Sequence, residues 1–237
     1  LAAIKGILFD KDGTLVDFQA TWFAIGDLLA LDAAGGDRAR ADALMTVAGY
    51  DFAAQRFKAD SVFAAGTNAD IVALWYPDIA AAGRQAMTKH FDTFTAEKGA
   101  EKAVALPGCR EALAALHTAG YQLGVATNDS TGGAEKTLSA LGVAQLFTAA
   151  YGYDAVANPK PAPDTIVAFC DLTGLKPEQL AMVGDNRHDL EMARAGGAGL
   201  AIGVLSGTGT RETLLPMADV VLASIAELPE FFRARSQ

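Results

Sequence analysis

Two aspartates, Asp10 and Asp12, stand two residues apart where the apolar run Ile4–Phe9 stops. In extended chain, residues i and i+2 face the same side, about 7 Å apart. Two carboxylates placed so can flank one phosphorus atom, one attacking in line and the other protonating the leaving oxygen. Gly13 allows a sharp departure from the strand. The same D-x-D-G sequence also makes an ordinary solvated turn, so the pair does not decide between the two by itself.

Other polar residues repeat the pattern. Asp185 follows the apolar run Leu180–Gly184, and Asp189 lies four residues on. A carboxylate brought near other carboxylates repels them unless a cation intervenes. Hard oxygen donors without Cys or His partners favour Mg²⁺. Asp185 therefore reads as a direct metal ligand. Asp189, one helical turn later, reads as a group that holds a metal-bound water or orients Lys160, or as a first-turn Asp favoured by the helix dipole. Thr127 and Asn128 end the run Tyr121–Ala126 and offer a hydroxyl, an amide and backbone N–H groups to phosphate oxygens. They also suit the capping of a helix starting near Thr131. Lys160 stands between Pro159 and Pro161, on chain that the prolines stiffen, where it can neutralise nucleophile and phosphate together. Its ordinary fate is an exposed loop position.

A parallel sheet would bring these residues together. From Pro107-Gly108 onward, helical and strand-like runs alternate: Cys109–Ala119 helix, Tyr121–Ala126 strand, Thr131–Leu141 helix closed by Gly142, and Leu146–Tyr151 as a weaker strand. Ala162–Leu172 then reads as helix, Leu180–Gly184 as strand, Asn186–Ala195 as helix, and Leu200–Val204 and Val220–Leu222 as strands. Ser224 and Glu227 have capping-box spacing for a last helix that Pro229 keeps short. This alternation predicts an α/β fold, a Rossmann-like three-layer α/β/α core around a parallel sheet, whose ligands bind beyond the carboxyl ends of the strands. The polar residues above are the ones that follow strands. Between about Asp17 and Lys98, Trp22, Ile25, Leu28 and Leu29 recur at helical spacing, as do Met87, Phe91 and Phe94. No convincing strand is legible there, and the region reads as an inserted all-α unit. The expected division is 1–16 and 100–237 for the core and 17–99 for the insert, with hinges near Leu15–Phe18 and Gly99–Leu106.

Composition narrows the partners. The 237 residues suffice for one α/β core with a smaller insert, and 51% hydrophobic with 20% charged residues describes a globular chain. With a net charge of −9 and a pI near 4.8, the basic face that nucleic acid requires is not expected. An anionic substrate then needs local positive potential from a metal ion, helix N-termini or a buried Lys. Cys109 and Cys170 lack metal-ligand spacing and read as packing residues. No run of 18 apolar residues predicts a membrane span, and Leu1–Phe9 is too short for a signal peptide, so a cytoplasmic protein is expected. Oligomeric state is not legible.

Phe9-Asp10-Lys11-Asp12-Gly13-Thr14-Leu15-Val16-Asp17, Thr127-Asn128, Lys160-Pro161 and Gly184-Asp185-Asn186-Arg187-His188-Asp189 follow the order of the four motifs of the haloacid dehalogenase-like hydrolase superfamily, which the chain resembles over about two-thirds of its length. The helical insert after the first motif resembles that family's cap, and the whole is similar to its phosphoglycolate phosphatase-like branch. The resemblance implies that Asp10 is the nucleophile and a Mg²⁺ ligand. It implies that Asp12 is general acid and then general base, binding Mg²⁺ through its backbone carbonyl. Thr127 and Lys160 would bind the phosphoryl group with Asn128 beside them, and Asp185 would complete the metal site, supported by Asp189. Lys11 receives no side-chain role, only a backbone N–H near phosphate. The implied reaction is hydrolysis of a small phosphorylated metabolite, phosphoglycolate foremost, through an aspartyl-phosphate.

Other readings compete. A haloalkanoate dehalogenase needs neither Asp12 nor Asp185. A phosphonatase needs an insert amine, for which Lys58, Lys89 and Lys98 are candidates. A phosphomutase of the same superfamily stays open. A receiver-like phospho-accepting module would be about half this length and lack the insert, and a non-catalytic phosphate-binding protein would not need the intact acidic set. Specificity is expected in the insert, whose cationic residues include Arg56, Lys58, Arg84, Lys89 and His90.

Overall fold

The computed structural model describes residues 3–235, so the outermost two positions of the expected core segments at each end lie outside the described residues. In chain order the elements are β1 (Gly6–Phe9), α1 (Phe18–Ala33), α2 (Arg38–Val47), β2 (Tyr50–Asp51), β3 (Arg56–Phe57), α3 (Val62–Ala65), α4 (Asn68–Trp75), α5 (Ala81–Lys102), α6 (Cys109–Thr118) and β4 (Gln122–Ala126). There follow α7 (Thr131–Ala140), β5 (Ala149–Tyr151), α8 (Asp164–Thr173), β6 (Leu180–Gly184), α9 (Arg187–Ala195), β7 (Leu200–Val204), α10 (Arg211–Leu214), β8 (Val220–Leu222) and α11 (Leu228–Arg235).

Six strands pair in the order β5-β4-β1-β6-β7-β8, every neighbour parallel. Strand β1 lies at the centre because all four of its residues are buried: Ile7 and Phe9 enter one apolar cluster with α6 and α11, and Leu8 enters the other with α8 and α9. Strand β6 alternates in the same way, Ala181 and Val183 to one side, Leu180 and Met182 to the other. Strands covered on both faces read as unbroken apolar runs, which is why the sequence betrays them. The chain builds outward from β1 in both directions, to β4 and β5 on one side and β6 to β8 on the other. Asp10 therefore follows the strand at which the winding reverses, where an open α/β sheet forms its crevice.

The stretch between β1 and α6 carries its own apolar cluster, reaching from Phe18 and Trp22 through Ile25, Tyr50, Phe57 and Phe63 to Trp75 and Phe91. It enters and leaves side by side: Asp17 N–H donates to the Val104 carbonyl at 2.8 Å and Leu106 N–H to the Leu15 carbonyl at 3.0 Å. Four differences from the sequence reading have local causes. The insert contains a two-stranded antiparallel ribbon, Tyr50 opposite Phe57 and Asp51 opposite Arg56, too short to show a period of two. Helix α5 continues to Lys102, through the expected boundary at 99. Glu227 accepts from Ala223 N–H rather than closing a box with Ser224, whose hydroxyl accepts from Ala226 N–H. Pro229 lies in the first turn of α11, where a missing N–H breaks nothing, and the helix runs eight residues.

Candidate active site

Asp10 extends β1 by one bond, its N–H donating to the Val183 carbonyl at 2.8 Å, and its side chain is buried at the sheet's carboxyl edge. Lys160 arrives from 150 residues away. Its ammonium donates to Asp10 Oδ1 at 2.6 Å and to Asp189 Oδ1 at 2.7 Å, with 4% of the side chain exposed. The ordinary exposed-loop alternative for Lys160 does not hold, since the residue is buried. Asp189 is fixed from its other oxygen, which accepts from Asn186 N–H at 3.1 Å while Asn186 accepts from His188 N–H, closing a capping box on α9. Asp189 thus lies in the first turn of α9, as one of its readings has it, and also touches the Lys160 ammonium.

Asp185 follows β6. Its Oδ2 accepts from Thr208 N–H at 2.7 Å and Thr208 Oγ1 at 3.2 Å, and its Oδ1 is buried without a hydrogen-bond partner. A Cβ at Gly207 would fall 1.9 Å from Asp185 Oδ2, so only glycine lets that loop close over the carboxylate. One oxygen each from Asp10, Asp185 and Asp189 lies within 4.8 Å of the others. A buried, unpartnered carboxylate oxygen facing other carboxylates suits a hard divalent cation. Asp12, an expected ligand through its carbonyl, contributes no side-chain oxygen to this cluster.

Burial dominates the electrostatics. It pushes the Asp10 carboxyl up to about 7; the Lys160 ammonium opposes this, and Asp189 and Asp12 add to it. Asp185 is raised well above the carboxylate range, by burial first and then by Asp10 and Asp189. Burial pulls Lys160 down, but the two carboxylates it touches more than reverse this, leaving it above an ordinary lysine.

Asp12 sits in the turn after β1, held at Oδ1 by the Trp22 indole N–H at 2.6 Å and at Oδ2 by the Lys11 ammonium at 2.5 Å. Lys11, for which no side-chain role is legible in the sequence, is 1% exposed and also pairs with Asp129 at 3.1 Å. A lysine between two aspartates at the end of a buried strand was the available signal, since a buried ammonium must find carboxylates. Thr127 is buried beside the site, and its Oγ1 accepts from Asp129 N–H. Asn128 donates to the Lys160 carbonyl at 3.1 Å and to the Ala65 carbonyl of the insert at 2.8 Å. Its Oδ1 has no partner.

Asp10, Asp12, Thr127, Asn128, Asp129 and Lys160 share a cavity of about 50 Å³, closed over by Phe18, Trp22, Phe63 and Ile71 of the insert. None of the insert cations Arg56, Lys58, Arg84, Lys89 and His90 lines it; Arg84 and Lys89 face a separate groove with Tyr153, and His90 faces Asp32. The basic residues that do line it are Lys160 and His188, both from the core.

A parallel sheet with acidic residues, a threonine and a buried lysine converging at its carboxyl edge defines an α/β protein with a pocket suited to phosphoryl chemistry. The haloacid dehalogenase-like hydrolase profile matches residues 4–197, and the chain belongs to that family. The chain is 32% identical over 240 residues to a phosphoglycolate phosphatase of Escherichia coli (strain K12), covering 95% of this chain and 91% of that one. It is 32% identical over 243 residues to a phosphoglycolate phosphatase of Salmonella typhimurium, covering 96% and 92%. A crystal structure described as a predicted phosphoglycolate phosphatase from Haemophilus somnus superposes with a TM-score of 0.74 at 23% identity, covering 98% of this chain and 99% of the other, and so shares the fold. The chain is an enzyme, a phosphatase by its family and its relatives.

Proposed function

We propose that the chain is a Mg²⁺-dependent phosphomonoesterase that works through an aspartyl-phosphate on Asp10 and acts on a small phosphorylated metabolite. The observation that carries this reading is the buried contact of Lys160 with Asp10 and Asp189, beside the unpartnered oxygen of Asp185. Residues 17–99 are read as a cap over the core formed by 1–16 and 100–237. Phosphoglycolate leads as substrate because relatives of that name match over more than nine-tenths of their length. Its carboxylate would meet His188, the basic residue in the cavity not occupied with Asp10.

An Asp10 oxygen bonds phosphorus as the bond from phosphorus to the leaving oxygen breaks. Asp12 gives its proton to that oxygen, and the alcohol leaves. Water then attacks the phosphorus and Asp12 takes its proton. The bond to Asp10 breaks, releasing phosphate and restoring the carboxylate. Lys160 sits where it neutralises negative charge gathering on the phosphoryl oxygens, and Thr127 lies on the same side to donate to them. Asp10, Asp185 and the Asp12 carbonyl would hold Mg²⁺, with Asp189 behind Lys160. Bound there, Mg²⁺ would lower the charge repulsion among carboxylates and phosphate and favour the ionised form of Asp10.

The test is phosphate release from an aryl phosphate, with and without EDTA, for wild type and Asp10→Asn. Turnover should be lost in the variant and in EDTA, and return with Mg²⁺. Undiminished turnover in Asp10→Asn would end the proposal.

A further inference from the structure

We infer that Lys11 and Trp22 form a clamp on Asp12 that positions the proton-transferring carboxylate, and that this positioning depends on the cap being seated. The inference rests on the reading of Asp12 as acid and base.

Asp12 lies in a turn, 14% exposed, on a side chain with two free rotors. Left alone, it would sample several orientations. Both its oxygens are instead held, by the indole N–H of Trp22 and the ammonium of Lys11. The ammonium is itself immobile. Asp129 Oδ2 holds it from the far side at 3.1 Å, and it lies 5.2 Å from the centre of the Trp22 ring, within cation–π range. Asp129 is in turn fixed through Oδ1, which accepts from Ser130 N–H at 2.7 Å. Each Asp12 oxygen keeps a second lone pair for the proton it carries.

Stability does not account for the cluster. An ammonium and a carboxylate buried together recover their desolvation cost poorly, and apolar residues of similar size commonly serve stability as well. What the ions supply is a defined place for Asp12. Trp22 adds a condition, because it sits on α1 and packs in the cap's apolar cluster. Its N–H reaches Asp12 only while α1 lies over the end of β1. Lys11 and Trp22 are positioning residues, and they act on the reaction through Asp12.

A carboxylic acid matters most when the leaving oxygen is a poor one. We therefore compare an alkyl phosphate, glycerol phosphate, with an aryl phosphate, p-nitrophenyl phosphate, whose leaving group departs without a proton. Trp22→Phe keeps the ring and removes the N–H. Lys11→Met removes the ammonium, and Lys11→Met with Asp129→Leu removes it without stranding a buried carboxylate. Asp12→Asn is run beside them, and thermal melts confirm folding. The expected result is a kcat on the alkyl ester about tenfold lower in the clamp variants, with a much smaller loss on the aryl ester and KM nearly unchanged. Equal losses on both esters, or losses confined to KM, overturn the clamp. If Asp12→Asn shows the leaving-group dependence and neither Trp22→Phe nor the Lys11/Asp129 double variant does, the clamp falls while the acid role stands. If Asp12→Asn itself lacks that dependence, the acid role falls and the clamp with it.

Discussion

Asp189 exemplifies a residue whose importance lies in what it holds. Its two oxygens are divided between the Lys160 ammonium and the Asn186 N–H, so it joins that ammonium to the first turn of α9. Asp189→Asn retains an oxygen for the Asn186 N–H and loses the charge facing Lys160. We expect near wild-type melting and a kcat lower by about 10–100-fold, the usual loss when a group supporting a metal or catalytic residue is removed. An unchanged kcat would show that Lys160 needs only Asp10. At this scale the sequence was informative where chemistry follows an apolar run. Asp10, Asp12, Thr127, Asp185 and Asp189 each stand just past a strand or one turn beyond it. Lys11, Asp129 and Thr208 were invisible in their roles because pairing 11 with 129, or 185 with 208, requires knowing which strands are neighbours. The helical spacing of Trp22 is legible in the sequence, but it says nothing of its N–H.

At the scale of elements, two glycines do opposite work. Gly142 follows α7 with φ +69°, and nothing stands within 4 Å of where its Cβ would be. Gly184 ends β6 in ordinary extended backbone, but a Cβ there would lie 2.2 Å from Asp189 Cγ. Gly142→Ala should therefore cost about 1–2 kcal/mol through backbone strain alone. Gly184→Ala should cost about 1–3 kcal/mol through overpacking. Only Gly184→Ala should lower kcat, because Asp189 must move and Lys160 with it. Melting curves and kcat measured on both variants check the contrast; equal kcat losses would mean that the close approach of β6 to α9 does not set the site. The strands around this point were legible because burial on both faces makes them continuous apolar runs. The ribbon β2–β3 and the four-residue α10 were not, since elements so short carry no periodicity and are specified by what packs around them.

For the whole molecule, the acidic site couples folding to protons and, on the proposed function, to metal. The Asp10 carboxyl stands at about 7 in the folded chain against an ordinary value of 3.8, with burial as the main cause, and Asp185 is raised in the same direction. Between those values the folded protein retains a proton that the unfolded chain has released. Taken alone, Asp10 thus favours the fold fully below about 3.8, and the advantage is lost as pH rises to about 7. Asp219, lowered because Arg194 and Ala201 N–H outweigh its burial, works in the opposite sense at lower pH. Comparing Mg²⁺-loaded with EDTA-treated protein at each pH cancels such remote groups. A cation requires the site carboxylates ionised, so its affinity rises with pH as they release protons. The increase in Tm produced by Mg²⁺ should accordingly be near zero at pH 4.5 and grow through pH 6 to pH 7.5. With Mg²⁺ at 100 times its Kd the gain is about 2.7 kcal/mol. For a chain of this length, that corresponds to roughly 5–10 °C. Asp185→Asn should abolish the increase at every pH, because it removes the one buried carboxylate oxygen left without a partner among the described residues. A Mg²⁺-induced shift independent of pH, or one that survives Asp185→Asn, would place the cation elsewhere than at Asp10, Asp185 and the Asp12 carbonyl.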